Sequence, residues 1–250
     1  MHDGPVLAPQ QSTAPLEASE ARERLIVALD FPAASQAFAF VDRLEGACQW
    51  FKVGLELYLT AGRSIVETLR NRGYSVFLDL KLHDIPNTVA GAVRSVAPLG
   101  AQLLTVHASG GPAMLAAAAE AAASHFDPPK LLAVTVLTSM DQGQLAATGI
   151  AASPSEQAKL LAGMAWSSGI RGLVCSPEEA AGFRAALPEA RLVTPGIRPA
   201  GSAIGDQRRV ATPAAALAAG ATQLVVGRPI TQAANPAEAA SAILDEMSRA

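Results

Sequence analysis

The chain is predicted to fold as a single α/β domain, a closed (β/α)8 TIM barrel, preceded by a disordered N-terminal tail. Three observations carry that expectation. Eight short runs are rich in Val, Ile and Leu, Ala-rich segments of helical length and period separate them, and polar residues gather at one end of the runs. Near-continuous apolar strands alternating with helices imply parallel pairing with both faces covered, and eight repeats of the unit close a barrel. A doubly wound open sheet is the alternative architecture.

The elements follow in order. Residues 1–22, "MHDGPVLAPQQSTAPLEASEAR", are rich in Pro, Ala, Gln and Ser and have neither a basic start nor an apolar block of signal-peptide length. They are expected to be disordered, with the barrel occupying residues 23–250. Strands are expected at "LIVALD" (25–30), "WFKVG" (50–54), "SVFLDLK" (75–81), "QLLTVHA" (102–108), "LLAVTVLT" (131–138), "GLVCS" (172–176), "RLVTPGIR" (191–198) and "QLVVGR" (223–228). Eight helices are expected from segments such as "SQAFAFVDRLEG", "MLAAAAEAAASHF" and "EQAKLLAGMAWSSG", several of which close in Gly.

Composition limits the function classes. With 250 residues, 50% hydrophobic content and a mean hydropathy of +0.26, the chain can bury a large core. A net charge of −3 and a pI near 5.8 supply no global basic field, so no nucleic-acid partner is expected. No apolar run reaches membrane-spanning length without a charge, Gly or Pro, which predicts a soluble protein with no membrane partner. Cys48 and Cys175 are too few for a disulfide framework, which suits a reducing cytoplasm, and they read as small core residues.

Barrel active sites form at the C-terminal ends of strands, and the polar residues gather there. Asp30 ends strand 1, Lys52 lies late in strand 2, Asp79 and Lys81 end strand 3, and His107 lies near the end of strand 4. Thr138 and Ser139 follow strand 5, Arg198 follows strand 7 and Arg228 follows strand 8. Alternate side chains of a strand share a face, so Asp79 and Lys81 look the same way, one pleat apart. Beyond them "DIPNT" reads as a turn, with Asn87 and Thr88 offering side chains to cap the next helix. His83 reads as a packing or backbone-bonded residue, His107 as a hydrogen-bonded site wall, and Trp50 and Trp166 as packing residues.

A phosphate site is expected nearby. "VVGRPI" (225–230) joins a strand to a Gly and to an Arg with a rigid donor fork. "TPGIRPAGSAIGDQRRV" (194–210) ends the preceding strand and continues into a loop long enough to serve as a lid. Loops after strands 7 and 8 commonly hold phosphate in barrels. Neither GxxxxGK[ST] nor GxGxxG occurs, which argues against an ATPase or a nicotinamide-dependent enzyme.

In this chain order, "FKVG", "DLKLHDIPNTV", "VTVLTS", "PGIRP", "GDQRRV" and "VVGRPI" resemble the orotidine 5′-phosphate decarboxylase family, from about residue 24 to the C-terminus. The D-x-K-x-x-D-I-P-x-T run is highly specific within that likeness. The resemblance implies decarboxylation of orotidine 5′-phosphate to UMP and CO2, the last step of de novo pyrimidine nucleotide synthesis, by a cytoplasmic homodimer with no cofactor or metal. It implies Lys81 as proton donor, held between Asp79 and an Asp84 from the second subunit, with Lys52 completing the charged array. It further implies Asp30 and Lys52 at the ribose hydroxyls, and Thr138 and Ser139 at the pyrimidine. Arg198, Gln207, Gly227 and Arg228 are implied at the phosphate, while Ile85 and Thr88 line the partner's contribution.

The implied chemistry explains so much charge at a strand end. Loss of CO2 from C6 of orotate leaves an electron pair in an sp² orbital that the ring cannot delocalise, so fixed charge must stabilise it. Lys81 has to stay protonated while enclosed, and flanking carboxylates favour that against desolvation. Three rivals share parts of the pattern. A metal-dependent decarboxylase or aldolase of sugar phosphates would need a carboxylate-rich site, for which Glu56 has no acidic companion in sequence. A Schiff-base aldolase wants a depressed lysine pKa, which flanking aspartates oppose. A phosphometabolite-binding regulator would have no use for the Asp-Lys-Asp constellation.

Overall fold

The computed structural model describes residues 17–199 and 210–250. Eight parallel strands form one closed barrel in chain order: β1 (Leu25–Ala28), β2 (Trp50–Gly54), β3 (Ser75–Leu82), β4 (Leu103–His107), β5 (Lys130–Val134), β6 (Gly172–Val174), β7 (Arg191–Thr194) and β8 (Gln223–Val226). Closure is by β8 on β1, with Leu25 opposite Leu224 and Val27 opposite Val226. The period of two sorts the core into two layers. Ile26, Phe77, Leu103, Leu132, Val193 and Val225 fill the barrel interior. The intervening Val27, Leu78, Leu104, Leu192 and Leu224 join the layer between barrel and helices.

The strands end earlier than the apolar runs do. β5 stops at Val134 and β7 at Thr194, because the chain must leave the sheet to form the loops at its C-terminal ends. Helices are more numerous than the expected eight. Two each follow β2 (Leu55–Ala61, Ser64–Asn71), β5 (Gln142–Ala147, Pro154–Ser167) and β8 (Arg228–Thr231, Pro236–Ser248). Local capping explains the division after β5: Asp141 with Gln144 and Ser153 with Glu156 each form a reciprocal capping pair, so each short segment carries its own start.

The boundary of the expected tail is corrected. Ala18–Arg24 is a helix, and it packs at the N-terminal mouth of the barrel. Glu23 Oε2 accepts from Trp50 Nε1 at 2.8 Å, while its carbonyl accepts from Gln223 Nε2 at 3.0 Å. Trp50 therefore packs inside the barrel and also anchors this helix. Residues 1–16 lie outside the described residues. Both cysteines are buried, and burial pushes the Cys48 thiol up to about 12 against the opposing influence of Arg22. Among the described residues no helix is long and apolar enough to cross a membrane.

Candidate active site

The centre of the site is an irregularity in β3. Pairing with β4 is regular through Leu78 opposite Leu104, but Leu82 next pairs with Val106, so β3 advances four residues while β4 advances two. Within this bulge Lys81 adopts φ 49°, a left-handed conformation that costs a non-glycine residue about 1–3 kcal/mol. The Lys81 N–H, turned off the ladder, donates to Thr105 Oγ1 at 2.8 Å. The same hydroxyl donates to Asp79 Oδ1 at 3.0 Å. Thr105 is wholly buried, so one hydroxyl fixes both the lysine backbone and the carboxylate that the lysine faces.

Asp79 and Lys81 do share a face, as alternation predicts. Lys81 Nζ lies 2.9 Å and 2.8 Å from the two carboxylate oxygens of Asp79. Lys52 Nζ lies 3.7 Å from Asp79 Oδ2 and 3.0 Å from Asp30 Oδ1. Charges thus alternate across three strands in the order Asp30, Lys52, Asp79, Lys81. Burial alone would push the Asp79 carboxyl up, but Lys52, Lys81 and the hydrogen bonds from Lys81 and Thr105 outweigh it and hold the group below the usual carboxylate range.

The array opens on a cavity of about 510 Å³, lined also by Thr138, Arg198, Gly227 and Arg228. Burial, then the neighbouring Arg228, pulls the Arg198 guanidinium below its ordinary value, so two cations converge at this part of the wall. An anion there would relieve their repulsion. Gly227 presents open backbone to the same space, where a Cβ would approach Asp30 Oδ2 at 3.9 Å.

Other expected residues stand apart from this cavity. Ser139 is exposed and does not line it, and Gln207 lies outside the described residues. Asp84, Ile85 and Thr88 are exposed, and among the described residues no ion pair joins Asp84 to Lys81. Asp84 Oδ1 instead accepts the Ile85 N–H at 2.6 Å. Asn87 and Thr88 do not cap the next helix: it begins at Pro86, which needs no N–H partner, and they fall inside its first turn. His107, expected to be hydrogen-bonded, has a buried Nδ1 with no partner among the described residues. Its ring lies 5.5 Å from that of the exposed His83. Burial, His83 and Lys81 lower the His107 pKa against the pull of Asp79.

Two contributors were not anticipated. Thr105 carried a usable signal, since it is polar in an apolar strand and shares a face with His107 two positions on. Gly54 carried none. A Cβ there would come within 3.1 Å of Lys52 Nζ and 3.5 Å of Asp30 Oδ1, so its bareness makes room for their ion pair.

Fixed alternating charge at the strand ends of a closed barrel is an arrangement that can stabilise charge developing on a bound molecule, and the two guanidiniums give the same cavity a place for an anion, features of the barrel enzymes as a class. Comparison with known proteins narrows the class. The sequence matches the Orotidine 5'-phosphate decarboxylase / HUMPS family over residues 23–243, and the chain belongs to that family. It is 55% identical over 228 residues to orotidine 5'-phosphate decarboxylase of Halorhodospira halophila, covering 91% of this chain and 97% of the relative. It is 51% identical over 230 residues to the Pseudomonas aeruginosa protein of the same name, covering 92% and 99%. The crystal structure of orotidine 5'-phosphate decarboxylase from Lactobacillus acidophilus superposes with a TM-score of 0.79 at 39% identity, covering 89% of this chain and 98% of that one.

Proposed function

We propose that this chain decarboxylates orotidine 5′-phosphate to UMP and CO2 in the last step of pyrimidine nucleotide synthesis, with Lys81 stabilising and then protonating C6. The relatives named above support the reaction. The observation that carries the mechanism is the alternating array, in which the Lys81 ammonium sits 2.8 Å from a buried carboxylate at the cavity wall. The C6–carboxylate bond breaks, CO2 departs, and the electron pair left at C6 faces the Lys81 ammonium. A proton then passes from Nζ to C6. Asp79 keeps the lysine aimed and also places negative charge beside the substrate carboxylate.

Asp30 and Lys52 hold ribose hydroxyls, Thr138 and Ser139 the pyrimidine, and Arg198, Gln207, Gly227 and Arg228 the phosphate. The working unit is a cytoplasmic homodimer, in which Asp84, Ile85 and Thr88 of one subunit complete the other's site. Support for sharing comes from exposure: Ile85 is 67% exposed and Leu59 78%, large apolar side chains that a second copy would cover. The test is the absorbance change of orotidine 5′-phosphate with purified protein, with and without exhaustive chelation. Turnover unaffected by chelator and abolished in Lys81→Ala, with its circular dichroism unchanged, is expected. Activity restored only by Mg²⁺, or near-normal turnover in Lys81→Ala, would overturn the mechanism.

A further inference from the structure

A second and larger cavity, about 1160 Å³, opens at the opposite, N-terminal end of the barrel, among the starts of β5, β6, β7 and β8. The proposed reaction makes no use of it. Besides Arg24, which is paired with Glu20, two half-buried guanidiniums line it. Arg191 projects from the first residue of β7 and donates through Nη1 to Gln223 Oε1 at 2.9 Å. Arg184 reaches over from the helix Pro177–Ala186, where Nε and Nη2 donate to Gly220 O at 3.2 and 2.9 Å, Nη2 to Thr222 Oγ1 at 3.1 Å and Nη1 to Pro188 O, so it is fixed in place chiefly as a charge.

Neither arginine forms an ion pair among the described residues. Partly enclosed cations are normally paired, because low dielectric makes an uncompensated charge costly. Burial lowers the pKa of both, as expected where water is withdrawn and no carboxylate replaces it. Of the five donors on Arg191, only one has an acceptor among the described residues. Lys130 and Arg171 also line it, but both are exposed and screened, and Arg171 is engaged with Trp166. The carboxylates of Glu17, Glu20 and Glu189 also line the cavity, but all three are exposed, where solvent screens them, and Glu20 is engaged with Arg24 at 2.5 Å. The terminal residue Ala250 lines it too. Positive charge therefore dominates in the depth and negative charge stays in solvent.

We propose that this N-terminal cavity binds a small polyanion bearing phosphate or carboxylate groups, held by the open donors of the Arg191 guanidinium with the fixed charge of Arg184 beside it. Planar guanidinium forks match both oxyanions, so the two ligand types need separate trials. The full chain would be titrated calorimetrically with pyrophosphate and, separately, with citrate at constant ionic strength. The Arg228→Ala background removes the guanidinium proposed for substrate phosphate at the other end. Saturable binding that persists in Arg228→Ala is expected. It should weaken about tenfold or more in Arg191→Gln and Arg184→Gln, and less in Arg191→Lys. Because either glutamine variant could lose structure, hydrogen exchange on wild-type protein provides an independent readout. Either anion should then protect residues 169–172, 189–193 and 217–223. Binding abolished by Arg228→Ala and untouched by Arg191→Gln, or no saturable binding and no protection with either anion, would overturn the proposal.

Discussion

Thr105→Val tests whether one buried hydroxyl holds the charged array together. Valine keeps the shape and removes the oxygen that accepts from Lys81 N–H at 2.8 Å and donates to Asp79 Oδ1 at 3.0 Å. An unpaired buried N–H costs about 1–3 kcal/mol, and a hydrogen bond to a charged group contributes about 1.5–3 kcal/mol. The losses overlap because a single atom serves both, giving a net destabilisation of about 3 kcal/mol. In a chain of this size that lowers Tm by about 6–12 °C. Urea and thermal denaturation measure it, with Thr105→Ser as the variant that keeps the hydroxyl.

The same change has a defined pH signature. The Asp79 carboxyl lies below its ordinary value in the folded protein, so its stabilising contribution is present above about pH 4 and is lost as pH falls through the folded pKa. Without the Thr105 bond that pKa moves back up, and acid destabilisation begins at higher pH in the variant. Lys81, no longer held at its left-handed backbone position, should lose about tenfold to a hundredfold in kcat. A Thr105→Val protein within about 0.5 kcal/mol of wild type, with undiminished turnover, would refute the reasoning.

Gly54→Ala places a methyl within 3.1 Å of Lys52 Nζ and should displace the Lys52–Asp30 pair, lowering kcat/KM while Tm stays close to wild type; unchanged kinetics would show that the pair has room to shift. Arg228→Ala should reduce kcat/KM strongly for orotidine 5′-phosphate and far less for orotidine, and equal fractional losses would remove Arg228 from the phosphate role. Lys81→Ala and Asp84→Asn dimers should each be severely impaired. Refolding them together in equal amounts should restore about a quarter of the intact sites, because half the dimers are hybrids and one site in each hybrid carries neither lesion. No recovery, with hybrids verified by mass spectrometry, would refute the shared site.

Much of the barrel is legible in the sequence because its causes are local. Continuous apolar runs such as "LIVALD" and "QLVVGR" read as strands, and the two-residue period of a strand sorts inward from outward side chains, so Asp79 and Lys81 could be placed on one face, and Asp30, Lys52 and Arg228 at one end, from position alone. Phosphate-loop candidates followed from the same ordering of strand ends. The tertiary structure alone decided what depends on the pairing of distant segments. The shift between β3 and β4 sets the Lys81 backbone, and no residue near Lys81 announces it; Thr105, twenty-four positions away, supplies the acceptor. Gly54 matters only because Lys52 and Asp30 converge over it. The helix Ala18–Arg24 is rich in Ala, Glu and Arg, but its place at the barrel mouth is set by contacts from Trp50 and Gln223. Local propensity acts over a few residues, whereas register, closure and the meeting of side chains from separate strands are properties of the folded chain as a whole.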